Sequence, residues 1–192
     1  MKILVIDNYD SFTYNLVQIV EKIAGEKIDV FRNDEIPLEA IEKYDKIILS
    51  PGPGIPEEAG ILKKVIKRYA PSKSIFGVCL GEQAIGEVFG ARLENMEEVY
   101  HGVATPMKVT SEDPLFNGLP RQFEAGRYHS WIVDKSSLPE ELEITCEDEE
   151  GRIMALRHKK YDVSGVQFHP ESVLTPEGEK IIENFLKSGA KN

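Results

Sequence analysis

Ser74-Ile75-Phe76-Gly77-Val78-Cys79-Leu80-Gly81 is the stretch on which the reading of this chain turns. It begins as a short apolar run, the pattern of a strand buried on both faces. Residues 81–89 follow with helical spacing. Between them stands Gly77-x-Cys79-x-Gly81, a nucleophile framed by glycines at a strand-to-helix turn. Such a turn lifts its central side chain outward on strained backbone, and a β-carbon on either side would clash. A thiol placed there lies at a helix N-terminus, whose partial positive charge favours the thiolate. The amide N–H of Leu80 points the same way and suits a developing oxyanion. The pentapeptide also reads as a structural cysteine packed under a helix, with glycines for close approach.

Upstream, apolar runs and amphipathic segments alternate. Residues 2–7, 27–32 and 46–50 read as strands. Residues 11–24, 37–44 and 57–69 read as helices, the first capped by Ser11 or Asp10 and the second opened by Pro37. This β-α-β-α order implies a parallel sheet covered on both faces. From residue 91 onward strand-like pieces dominate (104–109, 122–125, 132–133, 143–145, 153–157, 163–168), joined by Asp/Gly/Pro turns. They read as a largely antiparallel extension of the same domain, and a helix over 176–187 follows them. One domain over 1–192 is expected.

Composition narrows the function. The 192 residues are 41% hydrophobic and 29% charged, with a net charge of −10. That balance is ordinary for a globular protein and argues against a nucleic-acid binder. The two cysteines, Cys79 and Cys146, form no CxxC and no dense framework, which fits a reducing compartment. No run approaches a membrane span, and the first residues lack a signal-peptide pattern, so a cytoplasmic protein is expected.

Far downstream, Val166-Gln167-Phe168-His169-Pro170-Glu171 ends an apolar strand. With Pro170 holding the chain extended, His169 and Glu171 would face the same side. A carboxylate beside an imidazole fixes its tautomer and stabilises the imidazolium, which suits a base for a thiol. Reactive groups in parallel sheets gather at the carboxyl ends of strands, where both Cys79 and His169 fall. His101 and His129, in expected loops, compete for the base role, whereas His158 lies in a charged run. Zinc on Cys79, His169 and Glu171 is a further reading, without the spacing of a ligand motif. The loop Ser50-Pro51-Gly52-Pro53-Gly54 is stiffened by prolines and offers free amides; it is neither a Walker loop nor a GxGxxG fingerprint.

Six segments together resemble the class I (triad) glutamine amidotransferases, especially the glutaminase component II of anthranilate synthase and aminodeoxychorismate synthase. They are IDNYDSFTYNLVQ (6–18), SPGPGIPEEAG (50–60), FGVCLGEQAIGEVFG (76–90), YHGVATP (100–106), RYHSW (127–131) and GVQFHPES (165–172). The resemblance implies a flavodoxin-like three-layer α/β fold with a mostly parallel sheet. It implies Cys79 as nucleophile, His169 as base and Glu171 as its orienting partner. Gly52 and Leu80 would supply oxyanion amides. Gly54, Gln83, Ser130 and Trp131 would hold L-glutamine, the last two through backbone groups. No cofactor or metal is implied. The partner would be a larger chorismate-binding synthase subunit near the DNYDSFT segment, with no nucleic acid and no membrane.

Two positions depart from the family pattern. Glu82 replaces the histidine that usually follows the elbow, setting a negative charge one helical turn from the sulfur. Val103 stands where lysine is usual, within a segment tied to partner coupling. A free-standing γ-glutamyl hydrolase or cysteine peptidase, and a disabled regulatory subunit, are the competing readings. The sequence does not separate the tryptophan from the folate pathway.

Overall fold

The computed structural model describes residues 1–189. Among these residues nine strands form one sheet. In chain order they are β1 (Ile3–Asp7), β2 (Asp29–Arg32), β3 (Lys46–Leu49), β4 (Ser74–Val78), β5 (Leu93–Val109), β6 (Gln122–Val133), β7 (Leu142–Glu147), β8 (Ile153–His158) and β9 (Val163–Val166). Their order across the sheet is β2-β1-β3-β4-β9-β8-β7-β5-β6. Pairing is parallel from β2 through β9 and antiparallel beyond it. The expected parallel core with an antiparallel extension is therefore present.

Among the described residues four α-helices cover the sheet: α1 (Thr13–Ala24), α2 (Leu62–Tyr69), α3 (Leu80–Val88) and α4 (Gly178–Lys187). The apolar residues separate into two cores, one per face. Leu16, Val17 and Val20 of α1 meet Ile181, Ile182 and Phe185 of α4 in the first. Leu62, Val65 and Ile66 of α2 meet Ala84 and Ile85 of α3 in the second. β3 and β4 are buried on both sides, which is why they read as continuous apolar runs. Lys46 is the exception. Its ammonium is buried, donates to the carbonyls of Phe185 (3.0 Å) and Ser188 (2.6 Å), and so closes the C-terminus of α4. No helix among the described residues is long and apolar enough to cross a membrane.

The short helix expected over 37–44 is present as a 3-10 helix (Leu38–Lys43) with Pro37 as its N-cap. Several local expectations are corrected. The helix expected over 57–69 is split into a 3-10 turn (Pro56–Glu58) and α2. Ser11 does not cap α1. Instead the Asp7 carboxylate accepts from the Tyr9 amide and the Thr13 hydroxyl, both at 2.9 Å, while Asp10 accepts from the Phe12 amide at 2.8 Å. The pieces 122–125 and 132–133 are the two ends of one strand, β6, and β5 runs 17 residues. His101 and His129 thus lie on paired strands rather than in loops.

The elbow follows from sterics. Cys79 has φ 54° and ψ −101°, a conformation that L residues avoid. A β-carbon on Gly77 would lie 2.5 Å from the carbonyl carbon of Gly81. One on Gly81 would lie 2.7 Å from the carbonyl oxygen of Leu49. Both obstacles are backbone, so neither can turn aside. Gly77→Ala is expected to cost roughly 3 kcal/mol, lowering Tm by about 6 to 12 °C; calorimetry of the variant checks this.

Candidate active site

The parallel pairing of β4 with β9 assembles the site. Gly77 stands opposite Gly165 and Val78 opposite Val166. The Cys79 amide donates to the Val166 carbonyl at 2.8 Å, so the chain beyond β9 is held against the elbow. Gln167 and His169 follow immediately. The His169 amide donates to Gly126 of β6 at 2.9 Å, which anchors the turn on its other side.

His169 and Glu171 meet, but not as an extended pair. The Ser172 amide donates to the His169 carbonyl at 3.2 Å, and the Thr175 hydroxyl donates to the same oxygen at 2.7 Å. The segment is a turn with Pro170 at its second position, where a fixed φ is favoured. It folds Glu171 back, so that Nδ1 of His169 donates to Oε1 at 2.6 Å. Both side chains are buried, and Nε2 has no hydrogen-bond partner of ordinary geometry among the described residues. Burial opposes a charged ring. Cys79 and Glu171 outweigh it and push the His169 pKa up to about 10. Among the described residues no three His, Cys, Asp or Glu side chains converge as a metal would require.

Beside the sulfur lies a cavity of about 260 Å³, lined by Gly52, Pro53, Gly54, Cys79, Gln83, Tyr128, His129, Ser130 and Trp131. Five residues expected to hold substrate are thus together: Gly52, Gly54, Gln83, Ser130 and Trp131. Leu80 lies next to them as the first residue of α3, so its amide lacks an intrahelical acceptor. The Gly52 loop is fastened from below. Asn8 donates through its amide to Ser50 Oγ (2.8 Å) and through Nδ2 to the Ser50 carbonyl (2.7 Å). A β-carbon on Gly52 would lie 2.6 Å from Asn8 and 2.8 Å from Leu80, so only glycine brings that backbone to the cavity.

Sequence reasoning missed Asn8, Tyr128 and Gln167. The Tyr128 ring packs 4.8 Å from that of His169, and its hydroxyl lies 3.1 Å from Ser172 Oγ. Gln167 is fully buried and donates to Cys79 Sγ at 3.4 Å. Its signal was a polar amide amid the apolar run GVQF. His129 does not reach toward the sulfur as a base. Its Nδ1 meets the Trp131 carbonyl at 3.0 Å, and burial beside the Arg127 charge lowers its pKa to about 3.

Glu82 is not a charge at the helix start. Its side chain is wholly buried against Gly165, and neither carboxyl oxygen has a hydrogen-bond partner among the described residues. Burial raises its pKa well above the usual carboxylate range, so the neutral acid is the folded form. The expected electrostatic effect on the sulfur is therefore withdrawn. Val103 is half-exposed on β5, beside a register shift.

A sulfur on a strained elbow, a buried imidazole–carboxylate pair and a cavity beneath two glycine-rich backbones, all on an α/β sheet, make up the arrangement that cysteine-nucleophile acyl transfer requires. The family model "Glutamine amidotransferase class-I" matches residues 4–188, and the chain belongs to that family. It is 48% identical over 188 residues to "Bifunctional protein TrpGD" of Thermotoga maritima, covering 96% of this chain and 32% of that protein. It is 47% identical to "Anthranilate synthase beta subunit 1, chloroplastic" of Oryza sativa, covering 96% of this chain and 66% of that one. The chain thus spans about a third and about two thirds of these relatives. It is 44% identical over 191 residues to "Aminodeoxychorismate/anthranilate synthase component 2" of Bacillus subtilis, covering 98% and 97%. A crystal structure assigned to part of a GMP synthase from Thermoplasma acidophilum superposes with TM-score 0.86 at 26% identity, covering 97% and 92%.

Two titrations test the electrostatics. The raised His169 value means that its charged pair stabilises the fold fully below pH 6.5 and loses that contribution as pH rises through about 10. Imidazole NMR is expected to show His169 protonated at pH 8, and its midpoint to fall in Cys79→Ala. Glu82 has the opposite consequence to a salt-bridged acid. The folded state holds a proton that the unfolded chain releases near 4.5, so stability falls as pH rises above that value. Glu82→Met is expected to raise Tm more at pH 8 than at pH 4.5, by roughly 3 °C or more.

Proposed function

We propose that this single domain is the glutaminase component of a two-part synthase. In this reading the Cys79 thiolate attacks the side-chain amide carbon of L-glutamine. The N–H groups of Gly52 and Leu80 hold the oxyanion. Protonated His169 gives its proton to the departing nitrogen, and ammonia leaves. A water then hydrolyses the γ-glutamyl thioester, with His169 taking its proton and Glu171 keeping the ring oriented. Gly54, Gln83 and the backbone of Ser130 and Trp131 hold the substrate's polar ends.

One observation carries this reading: the strained Cys79 opens into the cavity while the chain beyond β9 delivers the His169–Glu171 pair to the same strand ends. Ammonia is useful only if delivered unprotonated, so a docked acceptor enzyme is required. The names of the relatives, a beta subunit and a component 2 of anthranilate and aminodeoxychorismate synthases, favour a chorismate-binding synthase as that partner, in the tryptophan or the folate pathway. The two cysteines, unpaired and apart, favour a reducing cytoplasmic setting.

Cys79→Ala is expected to lower glutamine-dependent product formation by roughly 1,000-fold in the complex with the synthase partner, while ammonia-dependent formation persists. Assays with chorismate and either nitrogen donor check this. Full glutamine-dependent activity in the variant would overturn the mechanism.

A further inference from the structure

We propose that Gln167 is a catalytic residue, donating an N–H of its side-chain amide to Sγ of Cys79 and stabilising the thiolate. The inference rests on the cysteine-nucleophile reading above and adds a group that it does not use. Nε2 of Gln167 lies 3.4 Å from the sulfur, within the reach of an N–H···S bond, and the residue is fully buried.

The orientation of that amide is fixed by a chain of donors with only one possible sense. Arg127 can only donate, and its Nε meets His129 Nε2 at 3.2 Å. His129 Nε2 is therefore the acceptor, and Nδ1 carries the proton that it donates to the Trp131 carbonyl at 3.0 Å. That carbonyl can only accept. Gln83 must turn its nitrogen toward it, at 2.9 Å. The second N–H of Gln83 meets Gln167 at 3.0 Å, so Gln167 presents its oxygen there. Its nitrogen is left for the sulfur. A flipped amide would break the bond to Gln83 and set an oxygen lone pair against the thiolate.

The start of the chain of donors is equally fixed. Arg127 is buried, pairs with buried Asp148 at 3.0 Å, and lies 3.6 Å from the centre of the Tyr100 ring. A buried ion pair of this kind sets one arrangement of β6, and β6 carries both His129 and Trp131. Both N–H groups of Gln83 are spent on protein acceptors, which leaves its oxygen as the free acceptor of a residue that lines the cavity. Gln83 is thus tied at one end to the ligand's cavity and at the other to the group that touches the nucleophile.

The charged groups around the sulfur, His169 with Glu171 behind it, are unchanged by substitution at Gln167. Gln167→Met removes the donor and keeps the volume. The pH profile of Cys79 alkylation by iodoacetamide is expected to shift its midpoint upward by about one pH unit. The kcat for glutamine is expected to fall roughly 10- to 100-fold, with a smaller change in KM. A purely structural role would lower the folded fraction without moving that midpoint. In the unsubstituted protein, the side-chain NH₂ protons of Gln167 are expected to shift in NMR spectra with the same pH midpoint as the alkylation. Superimposable alkylation profiles, or Gln167 protons indifferent to the titration of Cys79, would overturn the proposal. If the alkylation midpoint shifts while the complex releases no ammonia from glutamine, the bond to the sulfur stands and the glutaminase reading fails.

Discussion

Everything at the reactive end of this molecule depends on the parallel ladder between β4 and β9. Two four- to five-residue strands, far apart in the chain, pair in a register that sets Gly77 against Gly165 and Val78 against Val166. The next residue on one side is Cys79 and the next on the other is Gln167. The one hydrogen bond from the Cys79 amide to the Val166 carbonyl therefore fixes Cys79 relative to the segment that carries its neighbours. Strain at Cys79 persists because the ladder below, the glycine contacts around it and the start of α3 over-determine its backbone.

Burial also sets the charges around the sulfur. His169 keeps its proton because Cys79 and Glu171, acting at close range, outweigh the burial that opposes its charge. Glu82, equally buried but without a cation or donor among the described residues, is held neutral instead. The two cases show why position in the sequence does not decide the sign of an electrostatic effect. One helical turn from the sulfur is a short distance, but a carboxyl turned into the packing of Gly165 carries no charge to exert.

Much of the fold was legible because its signals are local. Continuous apolar runs identified β1, β3 and β4, and helical spacing identified α1, α2 and α3. The elbow was legible because glycine, nucleophile and glycine each answer a steric need. The FHPE turn was read as extended because the pattern of alternating faces says nothing about the Ser172 and Thr175 bonds that fold it. β6 was read in two pieces because Gly126, Arg127 and Ser130 interrupt its apolar alternation, and the ion pair of Arg127 with Asp148 is visible only in three dimensions. Gln167 escaped notice for a related reason: its meaning comes from a strand partner whose identity the order of residues does not announce.

The inserted position of β9 has one more consequence. Its neighbour β4 is made early and the strand itself late, and the turn that follows it packs its Pro170 backbone against Gly178 at the start of α4, whose far end is fastened by Lys46 of β3. A growing chain emerging from the ribosome can lay down the first strands and helices and still lack the segment that packs against Cys79. Cys79 waits, unaccompanied, until His169 and Glu171 have been synthesised, so a product truncated before them lacks the buried pair that acts on its sulfur.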